Sequence, residues 1–136
     1  MNKILIDTMC IEAIFTHEEP LYTTFADKID EGKIIGVSSV VTLTEMIKNL
    51  GRINEEKMEK TVRRLKSSEI VIIDVTQEIA ERAGKLRIKY EIPTIYSLIA
   101  ATCLSENIKH ILTKDKRHFG KINKLKIIDI ETAIRL

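Results

Sequence analysis

The 136-residue chain has no tryptophan, two prolines, two cysteines, and only three tyrosines and three phenylalanines. Cys10 and Cys103 do not make the disulfide framework of a small secreted domain, so we expect both to pack as small apolar side chains. No stretch reaches the roughly 18 continuous apolar residues of a membrane helix, and the N-terminus lacks the apolar core of a signal peptide. These absences predict a cytoplasmic protein that does not enter the membrane.

The chain also has little net charge, because 22 basic residues are balanced by 20 acidic residues to give +2. This balance excludes the strongly basic composition of many nucleic-acid-binding domains. The last third is nevertheless locally basic and contains Lys109, Lys114, Lys116, Arg117, His118, Lys121, Lys124 and Lys126. Such a run is either an ordinary solvated face or a surface that contacts the phosphates of RNA.

Short apolar runs alternate with segments of helical periodicity from end to end. Strands are predicted at Lys3–Ile6, Ile34–Ser38, Ile70–Asp74, His110–Thr113 and Lys126–Ile128. Helices are predicted at Cys10–Phe15, Leu21–Glu31, Thr42–Leu50, Asn54–Lys66, Gln77–Tyr90 and Ile95–Glu106, with Asn54 and either Ser39 or Thr42 as caps. The alternation predicts one α/β domain over residues 1–136, with three layers and a central parallel sheet of four to five strands.

Three acidic residues follow three of the apolar runs. Asp7 ends the first run, Glu45 follows the second, and Asp115 follows the run at His110–Thr113. Parallel sheets bind ligands outside the carboxyl ends of their strands, so these carboxylates are expected to converge on one pocket. Carboxylates that lie close together repel one another unless a cation neutralises them, and an all-carboxylate site suits Mg²⁺ or Mn²⁺. Each acid taken alone could equally be a turn, cap or first-turn helix residue.

Four segments follow one another along the chain: Ile-Leu-Ile-Asp-Thr at 4–8, Val-Ser-Ser-Val-Val-Thr-Leu-Thr-Glu at 37–45, Ile-Pro-Thr-Ile-Tyr-Ser-Leu-Ile-Ala-Ala-Thr at 92–102 and Ile-Leu-Thr-Lys-Asp-Lys-Arg-His-Phe at 111–119. Together, in this order, they resemble the PIN domain, the nuclease fold of VapC-type toxins in prokaryotic toxin–antitoxin pairs. The resemblance implies that Asp7, Glu45 and Asp115 hold Mg²⁺ or Mn²⁺ and catalyse the cleavage of RNA. It also implies a small antitoxin protein as partner and a homodimer.

One position departs from the family pattern. Family members usually carry an aspartate at the start of the penultimate helix, where this chain has Tyr96 in the sequence Tyr-Ser-Leu-Ile-Ala-Ala. A phenol with an ordinary pKa of about 10 does not replace a carboxylate at neutral pH. We therefore expect weaker metal binding than in relatives with four acids.

Other residues are candidates for substrate contacts. Thr8 or Thr113 could donate a hydrogen bond to the scissile phosphate, and Lys116 and Arg117 lie where an RNA strand would pass. Bases of RNA stack on aromatic side chains, for which Tyr96, Phe119 and Tyr22 are the candidates. His17 and His118 stand alone, without the spacing of zinc ligands.

Two functions remain open from the sequence. The first is a metal-dependent endoribonuclease of toxin type. The second is a catalytically degenerate domain that binds RNA or a protein partner, an alternative that follows from Tyr96. A structural role for apolar helix faces near Phe15, Leu21 and Leu50 in dimerisation is a third hypothesis.

Overall fold

The computed structural model of the chain describes residues 2–16 and 19–136, so His17 lies outside it. Five parallel strands form one sheet in the order β3-β2-β1-β4-β5. The strands are β1 (Asn2–Ile6), β2 (Ile34–Ser39), β3 (Val71–Ile73), β4 (His110–Leu112) and β5 (Lys126–Ile128). The predicted parallel sheet is confirmed at five strands, and β1 lies at its centre with Leu5 paired to Val37 on one side and Ile111 on the other.

Helices connect the strands, as the alternating pattern predicts. They are α1 (Thr8–Thr16), α2 (Pro20–Asp30), α3 (Val41–Gly51), α4 (Glu55–Ser67), α5 (Gln77–Tyr90), α6 (Thr94–Ser105), α7 (Lys116–Phe119) and α8 (Ile130–Ile134). None of the helices in the described ranges is long and apolar enough to cross a membrane.

The central strand divides the core into two layers because successive side chains point to opposite faces. Ile4 and Ile6, both fully buried, pack on one face with Phe25 and Met46 among others. Leu5 points to the other face and packs with Ile99 and other residues of that layer. β1 is thus covered on both faces, as expected for a parallel strand at the middle of a sheet.

Both cysteines behave as predicted. Cys10 and Cys103 are buried free thiols, and each lies in one of the two core layers. Burial raises the pKa of Cys10 to about 11 and that of Cys103 to about 12, so both stay protonated at neutral pH.

The helix caps agree with the sequence in part. Asn54 accepts a hydrogen bond from the Lys57 amide at 2.9 Å, which confirms it as the cap of α4. The prediction for α3 was wrong in detail, since the helix begins at Val41 and Thr42 lies inside it. Ser39 lies two residues before Val41, and its hydroxyl accepts a bond from the Val41 amide at 3.3 Å.

Two short helices are absent from the sequence prediction. α7 and α8 contain four and five residues, too few to display a helical period. Each depends on a cap instead: Asp115 accepts from the His118 amide, and Asp129 accepts from the Thr132 amide. The first of these caps belongs to the candidate site.

Candidate active site

A cavity of about 200 Å³ opens at the carboxyl edge of the sheet. Its lining residues are Asp7, Thr8, Met9, Glu45, Asn49, Ile95, Tyr96, Ile99 and Asp115. The three acids that the sequence singles out therefore line a single cavity, although they come from the residue after β1, from α3 and from the segment after β4. Parallel strands explain this convergence because their carboxyl ends meet at one edge.

Asp7 directly follows β1 and is only 7% exposed. Its Oδ1 accepts a hydrogen bond from the Thr8 amide at 2.8 Å, and its Oδ2 accepts one from the Thr113 hydroxyl at 2.8 Å. Burial raises the pKa of Asp7, and the negative charges of Asp115 and Glu45 raise it further, while the two hydrogen bonds oppose this shift. The carboxylate is fixed in position but is electrostatically unfavourable without a cation.

Asp115 is held by the turn that follows it. Its Oδ1 accepts from the His118 amide at 3.0 Å, and its Oδ2 lies 2.8 Å from Nδ1 of the His118 ring. Burial raises the pKa of Asp115, but hydrogen bonds from His118 and the Tyr96 hydroxyl outweigh burial and hold this pKa below its ordinary value. Asp115 is therefore ionised at neutral pH.

Glu45 lies in α3, one turn past the helix start, and is the third acid of the cavity wall. Its Oε2 lies 3.1 Å from the ammonium of Lys48. Lys48 is about half exposed, so this pair is worth little in stability. In the structure the Glu45 carboxylate is directed toward this ammonium.

Tyr96 lies in the same cavity as the three acids. Its ring stacks on His118, with centroids 4.2 Å apart and an interplanar angle of 25°, and meets Phe119 edge-on at 5.3 Å. Burial and the hydrogen bond to Asp115 raise the pKa of Tyr96 to about 12. The phenol is therefore neutral at physiological pH and donates its proton toward Asp115.

The two threonines predicted to contact substrate are both buried. The Thr113 hydroxyl donates to Asp7 and accepts from the Asp115 amide at 2.9 Å, so it links the two acids. The Thr8 hydroxyl lies 3.1 Å from that of Thr42, while Thr8 still lines the cavity. A contact from Thr113 to a phosphate would compete with its bond to Asp7.

The basic segment does not form one continuous face. Lys116 and Arg117 are exposed on α7, next to Asp115. Lys114 lies 3.3 Å from Glu19 and above the ring of Tyr22. Lys109 precedes β4 and Lys126 begins β5, so both lie at the amino ends of these strands, roughly 10 Å of strand away from the cavity.

Three residues near the acids were missed by the sequence argument. Asn49 lies four residues after Glu45 and lines the cavity, which the spacing of one helical turn could have indicated. Glu12 lies one turn after Thr8, and its Oε1 is buried without a hydrogen-bond partner among the described residues. Burial raises the pKa of Glu12, and Asp7 and Glu45 contribute in the same direction. His118 was noted as part of the basic segment and as a poor zinc ligand, but its contacts with Asp115 and Tyr96 were not predicted.

The lining residues suit a hard divalent cation. They supply carboxylate and amide oxygens, and among the described residues that line the cavity none is a lysine or arginine. No group of three or more His, Cys, Asp or Glu side chains in the described ranges is arranged to hold a metal ion as it stands. Mg²⁺ commonly binds through one or two carboxylates and keeps several waters, so a closed cage of side chains is not needed.

The fold and site together define an α/β domain with acidic residues gathered at the carboxyl edge of a parallel sheet. The PIN domain family model matches residues 4–125, and the chain belongs to that family. It is 26% identical over 130 residues to Ribonuclease VapC6 of Methanocaldococcus jannaschii. The alignment covers 94% of this chain and 82% of the relative.

Solved structures of similar fold include toxin–antitoxin complexes. VapBC2 of Rickettsia felis, bound to a DNA fragment from its promoter, aligns with a TM-score of 0.76 at 21% identity, over 93% of this chain and 98% of that one. VapC20 of Mycobacterium tuberculosis, a toxin that cleaves the sarcin–ricin loop, aligns with a TM-score of 0.69 at 16% identity, over 86% and 93% of the two chains.

Proposed function

We propose that the chain is a metal-dependent endoribonuclease of the toxin–antitoxin type that cleaves phosphodiester bonds of RNA. The observation that carries the proposal is the gathering of Asp7, Glu45 and Asp115 in one cavity at the carboxyl edge of the sheet. Similarity to a ribonuclease and to toxin–antitoxin complexes supports the same function.

The acids have different roles in this proposal. Asp7, fixed by Thr8 and Thr113, is the principal ligand for Mg²⁺ or Mn²⁺, and Asp115 is the second. A bound divalent ion lowers the pKa of its water and neutralises charge on the phosphate. Glu45, which lies beside Lys48, would orient the attacking water or hold the ion through water. Thr8 remains a candidate contact for the phosphate, whereas Thr113 holds Asp7 in place.

Cleavage of single-stranded RNA with Mg²⁺ or Mn²⁺ tests the proposal directly. The Asp7→Asn variant should lose activity by about a hundredfold or more, because it removes both charge and ligand. The matched control is Asp74→Asn, since Asp74 also follows a strand at this edge but is exposed and outside the cavity. Equal cleavage by wild type and Asp7→Asn would exclude the proposal that this cavity is a nuclease active site.

Metal binding provides a second test of the proposal that does not depend on catalytic activity. Mn²⁺ at about a hundred times its dissociation constant should stabilise the wild-type fold by about 2.7 kcal/mol, measured as a rise in melting temperature that EDTA reverses. Asp7→Asn should show little of this rise, and Asp74→Asn should show all of it. An equal rise in all three proteins would mean that the ion binds elsewhere.

The second candidate function is a degenerate domain that binds RNA or a protein partner. The presence of neutral Tyr96 beside the three acids favours it. The Tyr96→Asp variant separates the two candidates. A large gain in cleavage from an inactive wild type would identify the natural protein as degenerate, and an active wild type without gain would mean that three acids suffice.

The partners follow from the same proposal. They are RNA as substrate, a small antitoxin protein and a second copy of the chain, in a cytoplasmic setting. Of the three apolar residues that the sequence suggested for dimerisation, Leu21 is 43% exposed and remains available, whereas Phe15 and Leu50 are half-buried and pack against the core. Light scattering of the isolated chain tests the homodimer.

A further inference from the structure

Aromatic side chains near the acids differ sharply in their availability. Phe119 is fully buried and Tyr22 is 2% exposed, so neither of these two candidates can stack on a ligand. Tyr96 is half-buried and lines the cavity together with the three acids. Of the three aromatic residues that the sequence suggested, only Tyr96 can meet a bound molecule.

The Tyr96 ring is held in place before any ligand arrives. His118 stacks on it at 4.2 Å, Phe119 supports it edge-on at 5.3 Å, and its hydroxyl is directed to Asp115. His118 is itself fixed, because its Nδ1 lies 2.8 Å from Asp115 Oδ2. A ring that is already ordered loses little side-chain entropy on binding, which favours its use as a binding surface.

The Tyr96 ring lies where it could contact a nucleotide whose phosphate is bound at the acids. Its hydroxyl end is next to Asp115, and Lys116 and Arg117 are exposed on the following turn. A phosphate at the acids would put the adjoining nucleoside against the cavity wall that Tyr96 forms. Proteins recognise single-stranded RNA largely by stacking unpaired bases on aromatic side chains beside such phosphate contacts.

We propose that Tyr96, backed by His118, is the surface on which the RNA base next to the cleaved phosphodiester stacks. The inference rests on the proposed function for the place of the phosphate. It gives Tyr96 a role in selecting the substrate, at the position where the family pattern has a carboxylate.

Binding of RNA in the presence of Ca²⁺ tests this role separately from cleavage, because Ca²⁺ takes oxygen ligands and keeps a cation at the carboxylates. The probes are a short single-stranded oligoadenylate and a base-free chain of equal length with the same sugar–phosphate charge. Both are measured by fluorescence anisotropy, and a gel after each titration verifies that the probe is intact. Tyr96→Leu keeps an apolar side chain of moderate size but removes the aromatic ring. Tyr96→Phe keeps the ring and removes the hydroxyl, and Tyr90→Leu makes the same change as the first variant outside the cavity.

The expected result is selective. Tyr96→Leu should weaken binding of the oligoadenylate by about 5- to 150-fold, the range for loss of one stacked base, and leave binding of the base-free chain unchanged. Tyr96→Phe should lose less than about threefold, and Tyr90→Leu should behave as wild type. Melting curves verify that each variant is folded.

Equal weakening on both probes, or none on either, would overturn the inference and leave Tyr96 as a packing residue. That result says nothing against the nuclease, which is decided by the Asp7→Asn comparison. Conversely, selective weakening in a protein that cleaves no RNA would establish the stacking surface and exclude the nuclease. Failure of the wild type to prefer the oligoadenylate over the base-free chain would also overturn the inference.

Discussion

The Asp7 carboxylate is buried at the end of the central strand and faces the negative charges of Glu45 and Asp115. Two hydrogen bonds orient it but do not cancel the cost of its burial, since the pKa of Asp7 remains raised. Such a group weakens the fold when it is ionised and is ready to bind a cation. A conflict between stability and ligand binding is common at functional sites.

The conflict predicts a pH-dependent gain in stability for Asp7→Asn in the absence of metal. The pKa of Asp7 is higher in the folded state than in the unfolded state, so the folded protein binds more protons between the two values. Wild-type stability therefore falls as the pH rises through that window. The variant should melt higher than wild type near neutral pH, by roughly 4 °C for each kcal/mol recovered, and the two should converge well below pH 4.

Circular dichroism melting curves in EDTA at several pH values measure this effect. Asp74→Asn is again the control, because its exposed side chain should leave the curve unchanged at every pH. A lower melting temperature for Asp7→Asn near neutral pH would mean that its two hydrogen bonds outweigh the repulsion.

At the scale of the elements, the long helices and the positions of the strands along the chain follow from local pattern, whereas the order of the strands in the sheet does not. α5 begins and ends where the periodicity predicts, and the Thr76 hydroxyl caps it by accepting from the Ile79 amide. The short helix α7 could not be found in this way, because helices of this length are stabilised by tertiary contacts and caps more than by propensity. Its importance is that it fixes Asp115 and His118.

The candidate site likewise contains residues that local pattern predicted and contacts that it could not predict. Asp7, Glu45 and Asp115 were found because each follows a recognisable run. The stacking of Tyr96 on His118 and the bond from Thr113 to Asp7 join segments far apart in the sequence. No local pattern encodes such contacts, and they decide which groups remain available to a substrate.

Substitution of Gly84 and of Gly120 should change stability in opposite directions, and only the second should change cleavage. Gly84 lies within α5, and a Cβ there would meet nothing within 4 Å. Gly84→Ala should therefore stabilise the protein by about 0.5–1 kcal/mol through helix propensity alone. Its effect on cleavage should be negligible.

Gly120→Ala should have the opposite effect. Gly120 ends α7, and a Cβ there would collide with the carbonyl oxygen of Lys116, so the turn must open. We expect a loss of roughly 1–3 kcal/mol, as for other overpacked sites, together with reduced cleavage because Asp115 shifts. Melting curves and cleavage rates of both variants provide the measurement. A Gly120→Ala protein as active and stable as wild type would show that α7 does not need to be fixed.

At the scale of the whole molecule, a net charge of +2 hides an uneven distribution. Lys116 and Arg117 lie at the cavity edge of the sheet, while Lys109 and Lys126 lie at the opposite edge. Lys114, although it adjoins Asp115 in sequence, is paired with Glu19. A strand of only three residues thus separates one basic segment into two surfaces, and only one of them can serve an RNA bound at the acids.

The salt dependence of RNA binding distinguishes these two surfaces. For single-stranded nucleic acid, the logarithm of the binding constant falls with the logarithm of salt concentration with a slope of about −0.7 for each phosphate contacted. Lys116→Gln and Arg117→Gln should each reduce the magnitude of the slope by about that amount, while Lys109→Gln and Lys126→Gln should leave it unchanged. Measurements in a constant concentration of Ca²⁺ keep a cation at the carboxylates, and a gel after each titration verifies that the RNA is intact. If Lys109→Gln and Lys126→Gln changed the slope as much as the first pair, the RNA would have to extend across the amino edge of the sheet, away from the carboxylates. The RNA backbone would then not be held at the cavity.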